Sequence, residues 1–163
     1  MSPNKKKELF KKGAWILLLL LLMTLIYSIA PVVVSGESMA PTIYNGQTIL
    51  MERLTLLFEQ KLQHGDIIVI RLSAESNSKI IKRVIGMPGD IIEIQNNAVY
   101  INNERIDETY VTEAMNTDNL GPIVLSDDEY FVCGDNRNFS LDSRSDQVGM
   151  ISSQNILGKA IIF

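Results

Sequence analysis

The chain has 163 residues and a formal net charge of −4, with 15 basic against 19 acidic side chains. That length gives one domain of ordinary size, and an acidic chain without basic runs or aromatic stacking platforms after its first residues gives no support to nucleic-acid binding. With a single cysteine, Cys133, and a single histidine, His64, an intrachain disulfide and a metal-ligand cluster are both excluded, and no cofactor is implied.

The first element is apolar. No charged residue occurs from Gly13 to Gly36, and Leu17 to Leu22 is an unbroken run of leucine. At 1.5 Å per residue, roughly 20 to 24 such residues cross a hydrocarbon layer of about 30 Å, so residues 13–34 are expected to form a transmembrane anchor after a basic tail, residues 1–12. A cleaved secretory leader is the alternative. The run exceeds an ordinary leader core of about 7 to 15 residues, and Pro31 directly after Ser28-Ile29-Ala30 is a poor residue behind a scissile bond. Five lysines and Glu8 precede Gly13, a balance of +4, which leaves 10 basic and 18 acidic residues, or −8, for the rest. The positive-inside rule then keeps the amino terminus in the cytoplasm and puts residues 35–163 outside.

Beyond the span, short apolar runs broken by Gly, Pro, Asn and Asp predict strands at Val32 to Ser35, Thr48 to Glu52, Ile67 to Leu72, Ile80 to Ile85, Ile91 to Gln95, Ala98 to Ile101, Tyr130 to Cys133 and Leu157 to Ile162. Hairpin turns are expected at Met87-Pro88-Gly89-Asp90, Asn96-Asn97 and Asn102-Asn103. Residues Leu54 to Gln63 read as a short helix or an apolar loop. Their Leu54, Leu56, Leu57 and Phe58 fit either core packing or a surface that dips into the bilayer. Asp107 to Asp128 reads as a polar excursion. The extracytoplasmic part is therefore expected to be all-β.

Two segments carry chemistry. Ser38 stands in Ser-Gly-Glu-Ser-Met-Ala-Pro-Thr, behind flexible Gly36 and ahead of Pro41, and Lys82 stands in Lys-Ile-Ile-Lys-Arg-Val-Ile-Gly-Met-Pro-Gly-Asp. A serine attacks an acyl group only when a base removes its proton, and a lysine does so only once desolvation has lowered its pKa, at about 1.4 kcal/mol per unit. Ile80, Ile81, Val84 and Ile85 provide the apolar flank, with Ile80 and Val84 on the lysine's face of a strand. Cys133, inside Tyr130-Phe131-Val132-Cys133, reads as a small core residue. His64 reads as a structural or solvent-facing turn residue, and Glu37 as a surface one.

In this order the segments resemble the type I signal peptidases, membrane-anchored serine-lysine proteases that remove signal peptides from exported proteins. The resemblance runs through the anchor, Ser38-Met39-Ala40-Pro41-Thr42, Gly65 to Val69, Lys82 to Asp90, and Gly134-Asp135-Asn136-Arg137 on to Ser140, Asp142, Ser143 and Arg144. It implies a mainly β, barrel-like catalytic domain after one transmembrane helix, with Ser38 as nucleophile, Lys82 as general base and no cofactor. It also implies that Ser140 hydrogen-bonds the lysine amine, that Asp142 pairs with Arg144, and that Arg83 pairs with Asp135. Where many members carry a hydroxyl two residues before the nucleophile, this chain has Gly36, as in the Gram-positive-type enzymes, so the oxyanion falls to the backbone N–H of Ser38 and a second main-chain donor. Val32, Val34, Met39, Ile43 and Ile81 are expected to line small apolar pockets for an added substrate strand.

Two other readings use the same residues: a self-cleaving repressor-type protease with a similar serine-lysine pair, and an inactive membrane-tethered module that binds exported chains. The membrane span argues against the first, and intact Ser38, Lys82, Ser140 and Asp142 against the second.

Overall fold

The computed structural model describes residues 3–57, 62–72 and 78–163, and the chain divides into two units, Met1–Ala30 and Pro31–Phe163. The first is helix α1, Pro3–Ser28. Its stretch Lys5–Ser28 is long and apolar enough to cross a bilayer, and the side chains from Leu17 to Leu22 are all exposed. Its late Thr24 and Ser28 hydroxyls bond within the helix, Thr24 Oγ1 donating to Leu20 O at 2.8 Å and Ser28 Oγ to Thr24 O at 2.6 Å, as polar groups in an apolar helix must. The helix stops at Ser28, short of the expected anchor boundary at residue 34. Ile29–Val33 is instead strand β1, because β-branched Ile29, Val32 and Val33 around Pro31 suit an edge strand.

The rest is mainly β. One sheet has seven strands and uses β1, β2 (Thr48–Glu52), β3 (Ile67–Arg71), β4 (Lys79–Gly86), β9 (Glu129–Cys133), β10 (Ile151–Ser152) and β11 (Ile156–Ile161), in the spatial order β1-β2-β11-β3-β4-β9-β10. A second sheet has the order β7-β6-β5-β8, from β5 (Ile91–Gln95), β6 (Ala98–Ile101), β7 (Glu104–Arg105) and β8 (Leu120–Val124). Its hairpins turn at the expected Asn pairs: Asn96, Asn97, Asn102 and Asn103 have φ of 50°, 62°, 53° and 69°, the left-handed region that asparagine tolerates best among residues with a side chain.

Alternation along β4 sorts the core. Ile80 and Val84 pack into a cluster with Leu62, Ile68, Ile70 and Val132, while Ile85 joins Ile92, Ile94, Val99 and Phe131 between the sheets. Gly86 lets the sheets meet, since a Cβ there would lie 2.5 Å from Ile92 Cδ1. Each fully buried isoleucine contributes about 1.5–3 kcal/mol.

The polar excursion expected from Asp107 to Asp128 is corrected by β8, which pairs with β5 through Ile91↔Val124 and Ile92↔Ile123. Of Leu54 to Gln63, Leu54–Leu57 is one helical turn, α2, with Leu54 half-buried, and Phe58 lies outside the described residues.

Candidate active site

The turn that carries Ser38 is closed by its own backbone. Val34 N donates to Gln47 O at 2.9 Å, Gly46 N to Val34 O at 2.8 Å, Ala40 N to Glu37 O at 3.1 Å and Ile43 N to Met39 O at 2.9 Å. Buried Met39 and Ile43 root it in the core. Gly36, at φ 97°, takes a bend in it that a side chain would strain, and its N–H donates to Asn45 Oδ1 at 3.0 Å. Among the described residues, the N–H of Ser38 donates no hydrogen bond and is therefore available to a ligand.

Lys82 reaches this turn from the middle of β4, where it pairs with Ile68 of β3. Its Nζ lies 2.6 Å from Ser38 Oγ, and the residue is only 3% exposed. Burial pushes the amine's pKa below its ordinary 10.5 by penalising the ammonium; the carboxylate of Asp142 opposes that and the guanidinium of Arg144 adds to it.

The loop after β9 holds the other side of the nucleophile turn. Asn136 N donates to Ser38 O at 3.1 Å, and Asn136 Nδ2 to Glu37 O at 3.2 Å. Gly134 has to be glycine, because a Cβ would stand 2.3 Å from both Ser38 O and Ser140 Oγ. Asp142, 1% exposed, accepts from Gly134 N at 2.9 Å and takes a two-pronged bond from Arg144, Nε to Oδ1 and Nη2 to Oδ2, both at 2.8 Å. Burial alone would raise its pKa, but the Arg144 bonds and charge outweigh that and hold it below the usual value. Arg83 grips Asp135 in the same forked way, and Thr42 Oγ1 donates to the same carboxylate at 2.5 Å.

Both expected ion pairs are thus formed. The expected bond from Ser140 to the lysine amine is not: Ser140 Oγ is buried and has no hydrogen-bond partner among the described residues, close enough to Asp142 to help lower its pKa but not in bonding geometry. Of the expected pocket residues, Val32, Val34, Met39 and Ile81 line a cleft of ≈ 370 Å³ with Ser38 and Lys82. Ile43 does not; it is 0% exposed and serves the core beneath the turn. Cys133 is buried with its thiol pushed up to about 12 by burial, hence inert. His64 faces Asp90 at 2.7 Å in an exposed pair.

Sequence reasoning missed Glu108, Tyr110 and the role of Arg137. Arg137 donates through Nη1 to Glu108 Oε2 at 2.9 Å, and the Tyr110 ring lies 4.0 Å from the Arg83 guanidinium carbon. The signal available was Arg137 itself, a cation in the motif Gly134-Asp135-Asn136-Arg137 with no local carboxylate left to pair with once Asp135 is taken by Arg83.

Comparison with known proteins adds an independent line. The family described as signal peptidase, peptidase S26, matches residues 7–163. Signal peptidase I S of Bacillus subtilis (strain 168) is 34% identical over 169 residues, which cover 96% of this chain and 89% of the relative. Signal peptidase I of Bacillus licheniformis is 33% identical over 168 residues, with 96% and 89% covered. The crystal structure of a signal peptidase I from Enterococcus faecalis V583 superimposes with a TM-score of 0.52 at 29% identity, over 61% of this chain and 97% of that one.

Proposed function

The chain belongs to the signal peptidase family S26, serine endopeptidases that cleave signal peptides from preproteins, and we propose that it does so with Ser38 as nucleophile and Lys82 as general base. The observation that carries this reading is the 2.6 Å contact between Lys82 Nζ and Ser38 Oγ, made by an amine whose pKa burial lowers.

In the first half-reaction Ser38 Oγ attacks the scissile carbonyl carbon while its proton passes to the neutral amine of Lys82. Negative charge collects on the carbonyl oxygen, and the free N–H of Ser38 meets it. Collapse of the intermediate breaks the C–N bond, and the Lys82 ammonium returns its proton to the departing amine. Water then attacks the acyl ester with Lys82 again as base, the acyl–Oγ bond breaks, and Ser38 recovers its proton. Asp142 and Arg144 act on the amine's charge with opposite signs, and Arg83 and Asp135 brace the strand and loop that carry the two reacting groups.

The substrate adds as an extended strand. β9 pairs with β4 only from Arg83 to Gly86, so the Lys79–Lys82 edge of β4 faces the cleft, with Pro31–Ser35 along the other wall. Val32, Val34, Met39 and Ile81 then set the preference for small residues before the cleavage site. Helix α1 crosses the bilayer; the lysines before Gly13 keep the amino terminus in the cytoplasm, and residues 35–163 work outside. Holding enzyme and signal peptide in one membrane raises their effective concentration.

The test is cleavage of a preprotein by the full chain in detergent. Ser38→Ala and Lys82→Ala are each expected to fall to background; retained cleavage in either overturns the assignment.

A further inference from the structure

Among the described residues, Arg137 is the most deeply buried cation outside the Ser38–Lys82 pair, 4% exposed, and every nitrogen of its guanidinium is used. Nη1 and Nη2 clasp the Glu108 carboxylate at 2.9 and 2.5 Å, and Nε donates to Gly134 O at 3.0 Å. The carbonyl of Arg137 accepts from Arg144 Nη2 at 2.8 Å. Glu108 is in turn held by Tyr110 Oη, which donates to Oε1 at 2.9 Å, and the Tyr110 ring carries Arg83 on its face at 4.0 Å and Arg137 at 5.9 Å.

These contacts converge on Gly134. Its N–H is held by Asp142 and its C=O by Arg137, so both peptide units around it are fixed; its Cα has no free space toward Ser38 O; and two residues on, Asn136 N bonds that same oxygen. A guanidinium this buried stays in place only with its counter-charge, since an unpaired buried ion is expensive. Without Glu108, Arg137 would turn toward solvent and release the Gly134 carbonyl.

We propose that Glu108 is a positioning residue for peptide-bond cleavage: through Arg137 it locks the Gly134–Asn136 segment against the carbonyl of Ser38, and Tyr110 fastens that ion pair to Arg83 beside Lys82. The inference rests on the assignment of Ser38 and Lys82 as the reacting pair. It assigns to the 108–110 segment a duty in catalysis that neither residue has by contact with substrate.

The experiment compares full-chain variants in detergent on a signal-peptide substrate, with kcat and KM measured separately and folding followed by circular dichroism. Glu108→Gln, nearly isosteric, is expected to lower kcat tenfold or more with KM within twofold, because the cleft walls are untouched. In Arg137→Met and in the Glu108→Gln/Arg137→Met double variant kcat should be equal, since the carboxylate acts only through the arginine. A folded Glu108→Gln with wild-type kcat, a change in KM alone, or additive losses in the double variant overturns the proposal. Should Glu108→Gln not fold, Tyr110→Phe decides: it removes the hydroxyl bond and keeps the ring, and a threefold or greater fall in kcat upholds the proposal while wild-type kcat overturns it. Ser38→Ala run alongside separates the two levels. If it still cleaves, the assignment of the reacting pair fails; if it is dead while Glu108→Gln and Tyr110→Phe are wild-type, only the positioning role fails.

Discussion

Arg83 and Asp135 form a forked ion pair, Nε to Oδ1 at 2.8 Å and Nη2 to Oδ2 at 2.6 Å, one residue along β4 from Lys82. Since neighbours on a strand point to opposite faces, the pair braces from behind the strand that presents the amine. The Asp135 side chain is fully buried and the Arg83 side chain 12% exposed. Asp135→Ala therefore strands a buried cation and is expected to cost about 3 kcal/mol, or about 10 °C in melting temperature. Thermal unfolding followed by circular dichroism checks it, and a shift under 2 °C would speak against a bracing role.

A second expectation concerns Gly134. Gly134→Ala forces a Cβ to within 2.3 Å of Ser38 O and Ser140 Oγ, so the loop must retreat from the nucleophile. Stability should fall by about 1–3 kcal/mol, as for overpacking elsewhere, and turnover should fall further than that loss explains at temperatures where the variant is folded. Steady-state kinetics on the folded fraction measures it.

The pH profile offers a test with two opposite signs. Activity rises with pH as Lys82 loses its proton, so the acidic limb of kcat/KM marks its pKa in the free enzyme. The Asp142 carboxylate raises that pKa and the Arg144 guanidinium lowers it. Asp142→Asn should move the limb to lower pH and Arg144→Met to higher pH. Limbs that stay put, or move together, would mean that the amine does not feel this pair.

Burying an amine weakens the fold, and the linkage follows from its sign. The folded pKa of Lys82 lies below the unfolded value, so between the two the unfolded chain binds more protons and stability rises with pH. Below the folded pKa the full penalty applies. Lys82→Met should thus be inactive yet more stable than the parent at neutral pH, with the difference shrinking as pH rises toward 10.5. Urea unfolding of both proteins across pH reads this directly, and a Lys82→Met less stable than the parent at pH 7 would contradict it.

The sequence made the local parts of this molecule legible and left the distant ones dark. Strands β5 and β6 end where expected because Asn pairs accept positive φ, a preference written in the residue type. Strand β8 was hidden by Gly121 and Pro122, which read as loop; its edge position in the sheet is what tolerates them. Ser38 and Lys82 stood out because a serine with no available histidine needs a base. The Glu108–Arg137 pair, 29 residues apart, leaves no periodic trace, since an ion pair between a loop and a short helix obeys no spacing rule. Ile43 misled for a related reason: an isoleucine under a turn and one lining a cleft look alike in one dimension.

The central claim, a lysine kept neutral beside its serine, is tested most directly by titrating Lys82 itself, through the NMR shift of its 13C-labelled ε-carbon in the full chain, assigned by Lys82→Arg. The expected result is a midpoint well below 10.5. A midpoint at 10.5 would contradict the account.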